Sequence, residues 1–184
     1  MEDKERIRII LTDDNVEKSI RENLDYLIEV IPEIRPMIGF DHKHPHHPLP
    51  VWDHTVEVIK NLHSDDFELV LAGLLHDIGK PYQYQEGEVR HFHGHPKKSA
   101  EISERILERL DFDPTTKKNV IYLVLTHDTV IDPENLDNTI SLIYKRLQLQ
   151  YADARAHAPN TVPKRIALLD DIRRRIEKQQ ELER

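Results

Sequence analysis

The stretch from Leu71 to Lys80, LAGLLHDIGK, decides how this chain reads. Five residues without charge run into a histidine, an aspartate and then a lysine, and the apolar run extends back to Phe67. A segment with so little polar surface predicts a central buried helix over Phe67–Ile78, stopped by Gly79 and Pro81. His76 and Asp77 would then stand at the end of a core helix, where an unpaired carboxylate is costly and is normally paired or metal-bound.

Outward from that stretch the pattern is helical almost throughout. Val16, Ile20, Leu24, Leu27 and Ile31 recur at three- and four-residue steps after the N-cap candidate Asn15, and Pro32 closes the segment. RPMIGFDHKHPHHPLP, residues 35–50, holds four prolines and four histidines and predicts an ordered loop. Helices follow over Val51–Leu62, carrying His54, over Pro96–Leu110, just after His95, and over Thr115–Asp128, carrying His127. A long helix from Leu136 to His157 carries Asp153. After breaks at Pro159 and Pro163, Ile166, Leu169, Ile172 and Ile176 mark a last helix. Tyr82–Gly94 reads as loop, with a small hairpin around Gly87. The expected fold is all-α, a single-domain helical bundle, with 1–33 an N-terminal helical segment packed on the core formed by 34–184.

The 184 residues contain no cysteine, which excludes disulfides, thiolate metal sites and a cysteine nucleophile. A net charge of −8 argues against broad adhesion to nucleic acid. Lys164, Arg165 and Arg173 to Arg175 form either a local basic patch or an exposed helix face. MEDKERIRIILTDDN lacks a signal-type apolar core and no stretch is long and apolar enough for a membrane span, so the chain reads as cytoplasmic.

Twelve histidines are an unusual number for this length, and histidine is both a common metal ligand and the proton carrier of neutral pH. A bare His-Asp pair arises about once by chance in such a composition, and two occur, at 76–77 and 127–128. More telling is that His54, His76 with Asp77, His95, His127 and Asp153 lie at or near the apolar stripes of separate helices. Bundles build metal sites from such inward-facing residues. Imidazole and carboxylate ligands suit a divalent transition ion, Fe, Mn, Co, Ni or Zn, better than Mg or Ca.

The ordered pattern His54, His76-Asp77, His95, His127, Asp153, with HDIGK at 76–80, resembles the HD-domain superfamily of metal-dependent phosphohydrolases. The segments MIGFDHKHPHHPLPVWDHT, AGLLHDIGKPYQY, HFHGHPKKSAEISERILERL and YADARAHAPN are most similar to the HD domain of bacterial CCA-adding tRNA nucleotidyltransferases, across about Ile34 to Glu177. The nucleotidyltransferase head of that family, with its Gly-Ser and paired-Asp strand, is not in this sequence, so a freestanding HD domain without nucleotide addition is expected. The resemblance implies an HD-type bundle in which His54, His76, Asp77 and Asp153 hold a first metal. It makes Asp77 a bridge to a second metal on His95 and His127, and implies attack by metal-activated water on a small phosphoester. Nucleotides, 2′,3′-cyclic phosphates and phosphomonoesters are the implied substrates. Lys80 would offset phosphate charge, or serve as an ordinary helix C-terminal cation, and His95 is alternatively a phosphate contact.

Among the other histidines, His42, His44, His46 and His47 either reach substrate or decorate a solvated loop; decoration is the simpler reading, with His47 the exception because HHP recurs in the resembling domain. His91 and His93 flank His95 at the pocket mouth, with His93 a substrate contact. His157, one turn after Asp153, supports that ligand or lies on the surface, and His63 has no assigned role. A different class of function is a non-catalytic module that binds an RNA end or a nucleotide and uses its metal structurally. Alarmone hydrolysis ranks below both, since nothing resembles the additional motifs of such enzymes.

Overall fold

In the computed structural model, which describes residues 1–184, the apolar run forms helix α5, Phe67–Leu75, and every residue from Leu69 to Leu75 is buried. The Asp66 side chain accepts from Leu69 N–H and starts the helix. A helix with no polar face must be enclosed, and α5 touches α1 (Asp3–Leu11), α4 (Val51–Leu62), α6 (His95–Arg109), α7 (Pro114–Thr126) and α8 (Ile140–Arg155). The remaining helices are α2 (Val16–Glu22), α3 (Leu24–Val30) and α9 (Val162–Leu182), with 3₁₀ turns at Pro32–Met37 and Lys80–Tyr82. There are no strands, only the isolated bridges His44 with His47 and Gln85 with His91, the latter closing the loop around Gly87.

Two glycines set how closely α5 and its exit meet their neighbours. A Cβ on Gly73 would stand 2.9 Å from Leu62 Cδ1, so its absence lets α4 lie close to α5. A Cβ on Gly79 would stand 2.5 Å from the backbone nitrogen of Ser99 in α6, and Gly79 N–H donates to Ser99 Oγ at 2.9 Å. The turn carrying His76 and Asp77 is thereby pinned on α6.

One core cluster of 32 buried residues runs from Ile7 in α1 to Ala156 beyond α8. A second, of seven, joins α8 and α9 through Ile143, Leu147, Leu169, Ile172 and Ile176. No helix is long and apolar enough to cross a membrane.

The structure corrects several boundaries. The expected continuous helix over Val16–Ile31 breaks at Asn23, whose φ of −109° and ψ of 14° leave the helical region and whose side-chain Nδ2 donates to the Ser19 carbonyl. Such local bonding competes with helix continuation. The core helix stops at Leu75 rather than Ile78, and α8 starts after a Thr139 cap rather than at Leu136. Pro163 does not break the last helix: it lies in its first turn, where no N–H is required, and α9 begins at Val162. Helix α1 occupies residues to which the sequence periodicity assigns none.

Candidate metal centre

The six side chains expected as ligands converge from five elements. His54 lies on the inner face of α4, His76 and Asp77 directly follow α5, His95 opens α6, His127 directly follows α7, and Asp153 sits in the last turn of α8. All but Asp153 are buried, and the Asp153 side chain is 15% exposed. They form two groups close enough to hold an ion: His54, His76 and Asp153, and then Asp77, His95 and His127. Asp77 faces both. Its Oδ2 is 3.3 Å from His76 Nε2 and 3.6 Å from His54 Nε2, while its Oδ1 is 3.2 Å from His95 Nε2 and 3.5 Å from His127 Nε2. Asp153 Oδ1 completes the first group at 2.8 Å from His54 Nε2 and 3.6 Å from His76 Nε2.

Backbone carbonyls three residues earlier orient three of the four imidazoles. Nδ1–H of His76 donates to Gly73 at 2.7 Å, that of His95 to Phe92 at 2.9 Å and that of His127 to Val124 at 2.6 Å. Gly73 and Val124 lie in final helical turns, where carbonyls lack intrahelical partners, so the helix ends supply the acceptors. A ring that donates from Nδ1 presents a lone pair at Nε2, the form in which histidine binds a metal. His54 lacks such an anchor, its buried Nδ1 having no partner.

These donors fit divalent cations. His76 Nε2 is buried without a hydrogen-bond partner. His95 and His127 direct their Nε2 atoms at each other across 3.2 Å, and with both Nδ1 positions already donating, two lone pairs meet unless a proton or a cation stands between them. Asp77 Oδ2 is 2.8 Å from Lys80 Nζ, though their angles do not make a hydrogen bond.

Charge is tightly coupled here. Burial disfavours a charged His76, yet the Asp77 and Asp153 carboxylates outweigh it and push the group up to about 10. Burial likewise opposes ionisation of Asp77, but His76 and Lys80 hold its carboxyl well below the usual range. Asp153 is lowered in the same way, with His54 and His76 overcoming its burial.

The centre opens into a cavity of about 430 Å³ whose walls include Lys80, Arg90, His47, His93, His157 and Arg165, with Phe92 its one apolar residue. Such a lining suits a small anion. Lys80 is 3% exposed, more enclosed than an ordinary helix-end cation. Besides Asp77 it meets His42, whose Nδ1–H donates to the Leu49 carbonyl at 2.7 Å and whose Nε2 accepts from Lys80 Nζ at 3.0 Å. Burial and then Lys80 lower His42 to about 3, so it stays a neutral acceptor. His42 is therefore no solvated decoration: it is fully buried and fixes the lysine.

His47 packs between His42 and His157, both at 4.4 Å between ring centres, while His44, His46, His91 and His93 line the rim of the cavity. His157 is buried and donates from Nδ1 to the Asp153 carbonyl at 2.7 Å, which decides against a surface position. Exposed His63 ends α4 in a left-handed conformation. Arg90 is a cavity residue for which the sequence carries no local signal, and Arg165, read there only as part of a basic patch or exposed helix face, reaches the cavity because α9 folds back over it. Arg173, Arg174 and Arg175 pair with Asp170, Asp171, Glu177 and Glu134, so they are an ion-paired helix face rather than a free basic patch.

The family model described as HD domain matches residues 46–172. The A-adding tRNA nucleotidyltransferase of Deinococcus radiodurans is 36% identical over 113 residues, 58% of this chain and 26% of that protein. The chain thus spans about a quarter of the length of this curated relative.

Proposed function

The chain belongs to the HD-domain family, and on that premise we propose that it hydrolyses small phosphate esters, with His54, His76, Asp77 and Asp153 holding one divalent ion and Asp77, His95 and His127 a second. The family is generally one of metal-dependent hydrolases. The observation that carries the reading is the division of Asp77, one carboxylate oxygen toward each group of imidazoles, at the floor of a cavity whose walls carry Lys80, Arg90 and Arg165 beside Asp128. The all-imidazole and carboxylate donor set favours Fe, Mn, Co, Ni or Zn.

Divalent ions held there supply Lewis acidity toward a phosphoryl oxygen and lower the pKa of water toward neutrality. The chain's own groups do the rest. Carbonyls behind the imidazoles keep the donor atoms aimed inward. Lys80, held by His42 and Asp77, is a fixed point charge for a phosphate oxygen, and Arg90 and Arg165 add charge at the cavity wall. His47 and His93, at the wall and rim, are the further substrate contacts. A small substrate, such as a nucleotide, a 2′,3′-cyclic phosphate or a phosphomonoester, fits this volume better than a polynucleotide.

The test is elemental analysis of protein purified without chelator, coupled to phosphate release from those three classes with Mn, Co or Ni added. One or two transition-metal equivalents with turnover of any of them is the expected result, and activity retained by a metal-free Asp77→Ala variant would sink the proposal. The tRNA enzyme among the relatives favours a second reading, a module that binds an RNA end and uses its metal structurally. The pairing of Arg173 to Arg175 with acidic neighbours weighs against it. Tight RNA binding that survives chelation, without turnover of any phosphoester, would favour it.

A further inference from the structure

Beside the polar cavity lies a second one of a different kind, about 100 Å³ in volume. His127, Asp128, Thr129, Asp153 and Arg165 line both, so the two adjoin along members of both ligand groups. The rest of its wall is Val130, Ala154, Leu168, Leu169 and Ile172, with Gln150 the one polar addition. Val130 is 66% exposed and Leu168 50% exposed. Large apolar side chains standing in water at the mouth of a charged pocket are the arrangement of a ligand subsite, apolar walls beside a few convergent polar groups.

The lip is also preorganised. Arg146 Nη2 and Gln150 Nε2, both from α8, donate to the Thr129 carbonyl at 2.7 and 2.8 Å and fix the backbone next to Val130. The size limits the occupant: about 100 Å³ is less than the roughly 150 Å³ that encloses a benzene ring, so a single ring would lie on the shelf with one face buried and the other open. Adjacency to the larger cavity suits one occupant for both, a ring on the shelf joined by a short link to an anionic group at the histidine floor.

We propose that the shelf of Val130, Leu168, Leu169 and Ile172 seats a planar six-membered ring on the alcohol side of the bound phosphate ester, of phenyl or pyrimidine kind. The inference rests on the phosphoester reading above and narrows it. Arg165, lining both cavities, marks the passage between phosphate and ring.

Binding rather than turnover tests this. Isothermal titration of the full manganese-loaded chain compares phenylphosphonate with methylphosphonate, and cytidine 5′-monophosphate with ribose 5-phosphate. Burying one ring face predicts roughly tenfold tighter binding of the ring-bearing member, and the better-discriminated pair identifies the source of the ring. In a Val130→Ser/Leu168→Ser variant, whose changes lie at exposed positions outside the core, the preference should fall toward unity. No preference in either pair, or one that the double substitution leaves intact, overturns the proposal while the phosphoester reading stands. If no phosphonate or phosphate binds at all, the phosphoester reading falls and this one with it.

Discussion

The floor of the metal cavity and its rim are both built of histidine, and they behave as two materials. On the floor, His76, His95 and His127 are buried, each tied through Nδ1 to a carbonyl three residues back. On the rim, His44 and His46 face one another at 5.0 Å, and His91 and His93 stack at 5.6 Å, with ring neighbours that are mostly other imidazoles. What separates these floor histidines from the rim is therefore burial with Nδ1 committed to a carbonyl, which aims the other nitrogen in a set direction; His54 shares the burial alone, its Nδ1 having no partner. His42 and His157 fall on the floor side by that standard: both are buried, and both have Nδ1 committed to a carbonyl.

The largest effect expected from this contrast is at its centre. Asp77→Ala should remove metal and lower kcat on the order of 10³-fold or more, since it strips both groups of their shared carboxylate; elemental analysis and steady-state kinetics check it. Next, His42→Leu leaves Lys80 without its acceptor and should cost about 10- to 100-fold in kcat/KM with metal content retained, as loss of an orienting partner does. A His42→Leu protein as active as the wild type would move His42 to the rim class.

Proton linkage gives a third prediction. In chelated protein His76 is raised from 6.5 to about 10, so its stabilising contribution is complete below pH 6.5 and disappears as pH climbs toward 10. Asp77 and Asp153 are lowered from 3.8, so theirs is present above that value and is lost on further acidification. The Tm of chelated protein should therefore decline from pH 6.5 to 10, and metal binding at pH 8 should release about one proton, as ligands must deprotonate to coordinate. Titration calorimetry in buffers of different ionisation enthalpy reads that number, and zero would place His76 outside the ligand set. The smallest effect belongs to the rim: His46→Ala should change kcat/KM less than about twofold, because an isolated exposed substitution is worth no more than about 0.5 kcal/mol.

Most helices and the six convergent side chains are legible in the sequence because the same periodicity that builds a bundle also says which residues face inward; α1 is the exception. Val51–Leu62 reads correctly end to end for that reason. Asn23 was not legible as a break, since its bond back to Ser19 is a local competition that apolar spacing does not register. His42 and Arg165 were illegible for another reason. Their roles arise from contacts with Lys80 in one case and from a helix folded back over the cavity in the other, at sequence distances where no pattern operates.

The central claim, that Asp77 divides its oxygens between two ion sites, is tested most directly by counting metal. Manganese titration followed by elemental analysis should find two equivalents on the wild-type chain and one on a His95→Ala/His127→Ala variant, with His54, His76, Asp77 and Asp153 retaining the survivor. Two equivalents on both proteins, or none on the wild type, would contradict it.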